Sequence, residues 1–383
     1  MKKIIKLIAV SLLLIVSVVC FVACGDNGSN SSKDVWEYKV YSGDDFATVI
    51  RYNGSDKSVE IPSEFNGNVV KRIKKGAFSG NATIETLIVP SSVEEIDGGA
   101  FEKMKALSTV SLPFIGRFKT ADDELNTNNV KTEKKAVGAE RTFGFLFGED
   151  EYECGTQVCN PYNADGSADK DYYLPVSLTT VIINPSEEYG VPACAFYENS
   201  LIKTVVLGDK VKAIGEYAFA NCTSLHTIDL NKVETVKANA FKDDTALNSF
   251  NETTGKGVKF SEITTIGEYA FSNTGFYSLT IVKSVITIGD YAFSNCATLN
   301  NVVIEKEGDE NYLEIGKGAF YNCDNLKNFD SQDNIVADAK ANFSKVKSIG
   351  VCAFDGIDDV EFSVFNYGGF DLASIFGSTN VDA

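Results

Sequence analysis

The chain is predicted to be a mostly β solenoid of about nine coils of 22–34 residues, and three observations predict it. An aliphatic residue followed four positions later by Ala-Phe returns nine times. The copies end at Phe78, Phe101, Phe196, Phe219, Phe241, Phe271, Phe293, Phe320 and Phe354, spaced 23, 95, 23, 22, 30, 22, 27 and 34 residues apart. After the phrase the chain alternates: Leu225, Ile228 and Leu230 are apolar, with Thr227 and Asp229 between them. Period two is the signature of a strand with one buried face. Finally, 383 residues without a dividing linker exceed one ordinary core, whereas a stack of coils enlarges its core as it lengthens.

Taken in order, residues 1–23 have the layout of an export signal. Lys2, Lys3 and Lys6 precede an apolar run from Leu7 to Val22, and small Ala23 stands before Cys24. The Phe-Val-Ala-Cys ending resembles a bacterial lipobox, in which the thiol of Cys24 would be acylated. Residues 24–34, rich in Gly, Asn and Ser, read as a flexible tether. Residues 35–72 contain alternating runs such as Ala47–Tyr52 and form an N-terminal β cap with the first half-coil, shielding the open end of the stack. Residues 73–113 hold the first coils. The phrase lapses over 114–174, an inserted island whose charged first half gives way to Arg141-Thr-Phe-Gly-Phe-Leu-Phe-Gly148. Those aromatics are expected to pack the island on the solenoid flank. Coils resume over 175–362, and 363–383 form a C-terminal cap or tail.

The segments Ile-Gly-Glu-Tyr-Ala-Phe-Ala-Asn-Cys-Thr-Ser-Leu (214–225) and Ile-Gly-Asp-Tyr-Ala-Phe-Ser-Asn-Cys-Ala-Thr-Leu (288–299) resemble the BspA-like, treponemal-type leucine-rich repeat, as does Val-Pro-Ser-Ser-Val-Glu-Glu-Ile (89–96). The resemblance covers about residues 59–362 outside the island. It implies a leucine-rich-repeat solenoid and an exported bacterial surface protein, some relatives being adhesins. It implies no shared catalytic apparatus and no fixed binding residues.

Repeated residues are interior, so specificity is sought in the exposed columns. One column reads Thr86, Thr109, Thr180, Thr204, Thr227, Ser249, Ser278, Asn301, Asn328. Its neighbour reads Ile88, Ser111, Ile182, Val206, Asp229, Asn251, Thr280, Val303, Asp330. From these, Thr180, Thr204, Val206, Thr227, Asp229, Ser249 and Asn251 are the candidate ligand-binding residues, on a face expected to be wide, rigid and acidic. The alternative is that threonine simply suits a strand and bonds its neighbour in the next coil.

Cys222, Cys296 and Cys323 fall three residues after their phenylalanines and read as buried reduced thiols, although Cys296 and Cys323 occupy neighbouring coils within disulfide reach. Cys154 and Cys159, five apart in the island, are placed to close a small loop. No metal site or cofactor is expected, because a Cys-x4-Cys pair without histidine is no complete ligand set. Asn163–Asp171 has the residues of a calcium loop but a misplaced glycine. His226, the single histidine, has no nucleophile or orienting carboxylate in its pattern, so no enzyme is expected. Net charge is −18, with 53 acidic against 35 basic residues, which disfavours nucleic acid. The expectation is a lipid-anchored protein facing the cell exterior, touching the membrane only through its acyl chains. Its coils would bind an extracellular protein or glycan, or serve as an envelope spacer.

Overall fold

The computed structural model describes residues 35–121, 135–136, 138–159, 170–248, 258–305, 312–329, 340–342, 345–357, 363–366 and 370–377. Cys24 and the apolar leader lie outside them, as do Ser249, Asn251, Asp330 and most of Asn163–Asp171. Among the described residues no helix is long and apolar enough to cross a membrane.

Each coil contributes two short parallel strands. The Leu-x-Ile-x-Leu segments build a face of two six-stranded sheets. The first runs from Ser58–Glu60 through Thr86–Ile88, Thr109–Leu112, Thr180–Ile183 and Thr204–Leu207 to Thr227–Ile228. The second runs from Val258–Lys259 through Ser278–Ile281, Asn301–Ile304, Asn328–Phe329 and Lys340–Asn342 to Ser363–Asn366. The aliphatic residue opening the Ala-Phe phrase ends a strand in every coil: Ile73 and Ile96 in a five-stranded N-terminal sheet, and the other seven in a ribbon from Tyr189–Val191 to Val346–Ile349. Side-chain alternation does the rest: Ser278 and Thr280 are half exposed, whereas Leu279 and Ile281 are buried.

Between ribbon and face the chain makes the Ala-Phe turn, and its backbone explains the residues around it. In all nine coils the residue before Ala and the second after Phe are left-handed. They include Gly76 and Gly80 (φ 72° and 74°), Tyr217 and Asn221 (55° and 61°), and Gly318 and Asn322 (57° and 58°). Glycine and asparagine tolerate this region best, hence their recurrence at those places. Gly289, which opens its turn, meets a different demand: a Cβ there would lie 2.7 Å from the carbonyl carbon of Gly267.

The phenylalanines stack into one column along the axis. Ring centroids are 4.9 Å apart for Phe196–Phe219, 5.2 Å for Phe219–Phe241, 5.1 Å for Phe241–Phe271 and 5.5 Å for both Phe271–Phe293 and Phe293–Phe320. Backbone bonds run parallel to the rings. Phe219 N–H donates to Ala240, Phe241 to Ala270 and Phe271 to Ala292, each at 2.8 Å. Each buried ring contributes roughly 1.5–3 kcal/mol of burial. The column is plugged by Trp36 and Tyr52 at one end (4.5 Å apart, Tyr52 5.9 Å from Phe78) and by Phe376 at the other, 5.7 Å from Phe354. Phe376 ends helix α1 (Leu372–Phe376), whose first turn is capped by Asp371 accepting from the Ala373 N–H.

The island departs from the sequence expectation. Its aromatics enter the column instead of resting on the flank. Phe143 and Phe147 are fully buried, 5.1 Å apart; Phe147 lies 5.9 Å from Phe101 and Phe143 4.8 Å from Phe196. The backbone relay is kept as well, with Phe101 N–H donating to Leu146 O at 2.9 Å and Phe143 N–H to Ala195 O at 2.8 Å. Thr109 pairs directly with Thr180, so the face closes over the insertion. An ionic cluster clamps the island to the neighbouring coils: Arg117 reaches Glu140 at 2.6 Å and Glu95 at 3.2 Å, while Arg72 holds Asp97 at 2.7 Å.

Two cysteine expectations also resolve. Cys154 is a free, exposed thiol, and Gly155–Cys159 is an extended strand paired with Asp171–Pro175. Five extended steps separate Cys154 from Cys159 by roughly 16 Å, far beyond disulfide reach. Cys296 and Cys323 are both buried free thiols, because each S–H is engaged with the phenylalanine carbonyl of the preceding coil: Cys296 with Phe271 O at 3.2 Å, Cys323 with Phe293 O at 3.1 Å. Cys222 makes the same bond to Phe196 O at 3.0 Å, and burial pushes its thiol well above the ordinary range.

Candidate functional site: the strand face

The alternation that buries Val181, Val205 and Ile228 turns their neighbours outward in register. Thr86, Thr109, Thr180, Thr204 and Thr227 form one continuous row across five strands, and Ile88, Ser111, Ile182 and Val206 a second row beside it, in which Ile182 is buried rather than exposed as its column predicted. The structure therefore brings together Thr180, Thr204, Val206, Thr227 and Asp229 among the sequence candidates. The threonine hydroxyls of this row make no hydrogen bond to one another, so they remain free for water or a ligand.

Asp229 plays a different part. Its carboxylate accepts from the Asn231 N–H at 2.9 Å, turning the chain away after the two-residue strand Thr227–Ile228. The longer strand Thr204–Leu207 overhangs it. Between them lies a notch of about 190 Å³ lined by Leu207, Asp209, Val211, Asp229, Asn231, Lys232 and Val233.

The expected acidity of the face is confined to isolated residues: Glu60 stands in register with Ile88 and Asp229 follows Thr227–Ile228, while Lys259, in register with Thr280, is basic. The strands between them are neutral. Ser108–Leu112, Thr179–Ile183, Thr204–Leu207, Tyr277–Ile281 and Asn300–Ile304 hold no charged residue, in a chain of which 23% is charged. Charge lies elsewhere, in turns and on the flank, where Lys212 bridges Glu234 (3.0 Å) and Glu262 (3.4 Å) and Lys232 reaches Glu262 at 2.6 Å. The hydrogen bond from Lys232 holds the Glu262 carboxyl below its usual range. The physical reason is electrostatic: rungs about 4.8 Å apart would set like charges side by side, whereas the flank alternates signs.

Sequence reasoning missed Tyr277. It occupies the corner where the turn enters the strand face, a position held by Lys203, His226, Asn300 and Lys327 in other coils. Aligning that corner column would have exposed it, because it is the one aromatic among them. His226 at the same corner is exposed, with Nδ1 donating to Ser224 O at 2.5 Å. Among the described residues no group of three or more His, Cys, Asp or Glu side chains is placed to hold a metal ion.

Comparison with known proteins agrees with this geometry. The BspA-type leucine-rich repeat region matches in six copies over residues 52–129, 172–260 and 264–381, leaving out the centre of the island. No curated protein matches the chain. Similar solved structures include a leucine-rich repeat protein of T. pallidum (18% identity, 78% of this chain and 91% of that one, TM-score 0.31). A leucine-rich cell surface protein of Faecalibacterium prausnitzii is 19% identical, with 93% and 100% covered and TM-score 0.31. A leucine-rich repeat protein of Eubacterium ventriosum is 14% identical, with 79% and 90% covered and TM-score 0.32.

Proposed function

Because the chain belongs to the BspA-type leucine-rich repeat family, we propose that it is an exported, lipid-anchored bacterial surface protein whose strand face binds an extracellular protein or glycan. The observation that carries the reading is a face whose central strands, Thr109–Leu112, Thr180–Ile183 and Thr204–Leu207, carry hydroxyls and aliphatic side chains and no charge on a strongly acidic chain. Binding patches are depleted of charge at their centre, and an array this rigid loses little conformational freedom when a partner docks. The similar protein of F. prausnitzii is described as a cell surface protein, which supports the same location. The anchor rests on Cys24 behind its apolar leader; two or more acyl chains on one cysteine hold a protein stably where a single chain is marginal.

Thr204→Glu with Val206→Asp places two carboxylates at the centre of the face. Retention of the protein on extracellular matrix, mucin or neighbouring-cell extracts is expected to fall to background, with an unchanged far-ultraviolet spectrum. Unchanged retention would move the site off the face, and no retention by the unaltered protein would favour an envelope spacer. Labelling cells with radioactive palmitate tests the anchor separately: the label is expected to vanish in Cys24→Ala.

A further inference from the structure

We infer that the second half of the strand face, around Tyr277, is a subsite for an uncharged sugar ring of a glycan. The inference rests on the strand-face reading above and narrows its partner to one chemistry. Tyr277 is 63% exposed, the highest value among the large exposed hydrophobic residues of the described chain. It is also the one of them at the strand face. Val40 and Val69 lie in the N-terminal cap, Val176 lies in the turn after Asp171–Pro175, Ile286 lies beside the ribbon, and Tyr321 and Val351 sit at the turns.

The other exposed tyrosine among the described residues, Tyr321, meets Tyr291 edge-on at 6.3 Å, and the half-buried Tyr269 and Tyr291 have no ring face to offer. Tyr269 and Tyr291 stack on each other at 4.9 Å, with Lys242 5.3 Å from the first ring and Lys317 5.7 Å from the second. Tyr277 stacks on no ring and hydrogen-bonds through no side-chain atom among the described residues. An aromatic ring left in water, where neighbouring coils place lysine, histidine or asparagine, is a surface for an apolar ligand face.

The groups beside the ring decide what that ligand is. Ser278 and Thr280 project from the same strand, and Asn301 stands in register with Ser278 on the next. Their hydroxyls and amide are half exposed and spend no hydrogen bond on one another. No charge occurs from Tyr277 to Ile281 or from Asn300 to Ile304; the charge in register with this strand is Lys259, beside Thr280 at the end away from the ring. Around Tyr277, Ser278 and Asn301 the two strands offer a ligand no charge. A neutral pyranose presents C–H groups on one face, which suit the ring, and hydroxyls around its rim, which suit donors and acceptors combined in Asn and Ser. Tyr277 would carry the stacking, and Asn301, Ser278 and Thr280 the hydroxyl contacts.

Titration calorimetry of the folded protein with neutral soluble polysaccharides (a glucan, a galactan and a mannan) and their sulfated forms tests this. Saturable binding of at least one neutral polymer is expected, weakened by sulfation. Tyr277→Ala should weaken it about tenfold or more, Asn301→Ala severalfold, and Tyr277→Trp should keep it. Tyr217→Ala, at the turns, serves as the control and should leave affinity unchanged. Binding unaffected by Tyr277→Ala, or by none of the neutral polymers, overturns the inference. If Thr204→Glu with Val206→Asp still abolishes capture of an extracellular partner in that case, the strand-face reading stands and only the sugar assignment falls. Loss of both overturns both.

Discussion

The regular coils and the island solve one packing problem by different means. From Phe196 to Phe354 every turn is Ala-Phe, with rings 4.9–5.5 Å apart. Between Phe101 and Phe196 no Ala-Phe exists, yet Phe143 and Phe147 continue the column at 4.8–5.9 Å and Leu146 takes the relay bond that alanine takes elsewhere. What the solenoid requires is therefore a buried ring and a backbone acceptor at each level, since either gap would leave a cavity or an unpaired N–H. The motif is one way of supplying them. The island's two-ring turn is another.

The comparison breaks most sharply at the rings. Phe143→Ala and Phe241→Ala are each expected to cost about 3–5 kcal/mol in urea unfolding, equal within error if the island is a true coil. A cost below about 1 kcal/mol for Phe143→Ala would return the island to the flank. A smaller loss, of about 1–3 kcal/mol, is expected from Gly144→Ala and from Gly318→Ala. The added Cβ would meet Tyr172 Cδ2 at 2.3 Å in the island and Tyr291 Cε1 at 2.3 Å in the regular coil, where φ of +57° adds strain. Hydrogen exchange should show the loss confined to adjacent coils in both.

Asp244 sharpens the contrast within the regular coils. It stands where Cys222, Cys296 and Cys323 stand in theirs, fully buried; Oδ1 accepts from the Cys222 N–H at 2.7 Å while Oδ2 has no partner. Burial pushes its carboxyl well above the usual range, so the fold favours the neutral form. That stabilisation is complete below the unfolded value of about 3.9 and is lost as pH rises toward the folded one. Asn81 and Asn199 already fill this column position, so Asp244→Asn should fit. It is expected to raise stability on the order of 1 kcal/mol at pH 7, the advantage shrinking toward pH 4 in thermal melts. The smallest effect belongs to the face: Thr204→Glu should shift stability by no more than about 0.5 kcal/mol, because its side chain supports no packing.

The coil was legible because its demands are local. Left-handed turn positions call for glycine or asparagine at two fixed places, and a strand with one wet side must alternate. The threonine row was legible for the same reason. Tyr277 was not, since a single tyrosine in a chain with 16 says nothing until its corner is known to face solvent. Nor was the role of Asp229, which looks like its column neighbours but ends a strand. The acidity of the face was overestimated because net charge describes a whole chain, whereas the central face strands carry none of it.

By itself the sequence determined a stacked β architecture, its coil boundaries, its interior residues and the row of threonines, all consequences of period and backbone preference within about twenty-five residues. Only the tertiary structure decided that Phe143 and Phe147 close the column, that Cys154 and Cys159 stand apart and that Ile182 is buried. Those outcomes depend on which coils lie side by side, and pairings such as Thr109 with Thr180 join segments that no local pattern relates.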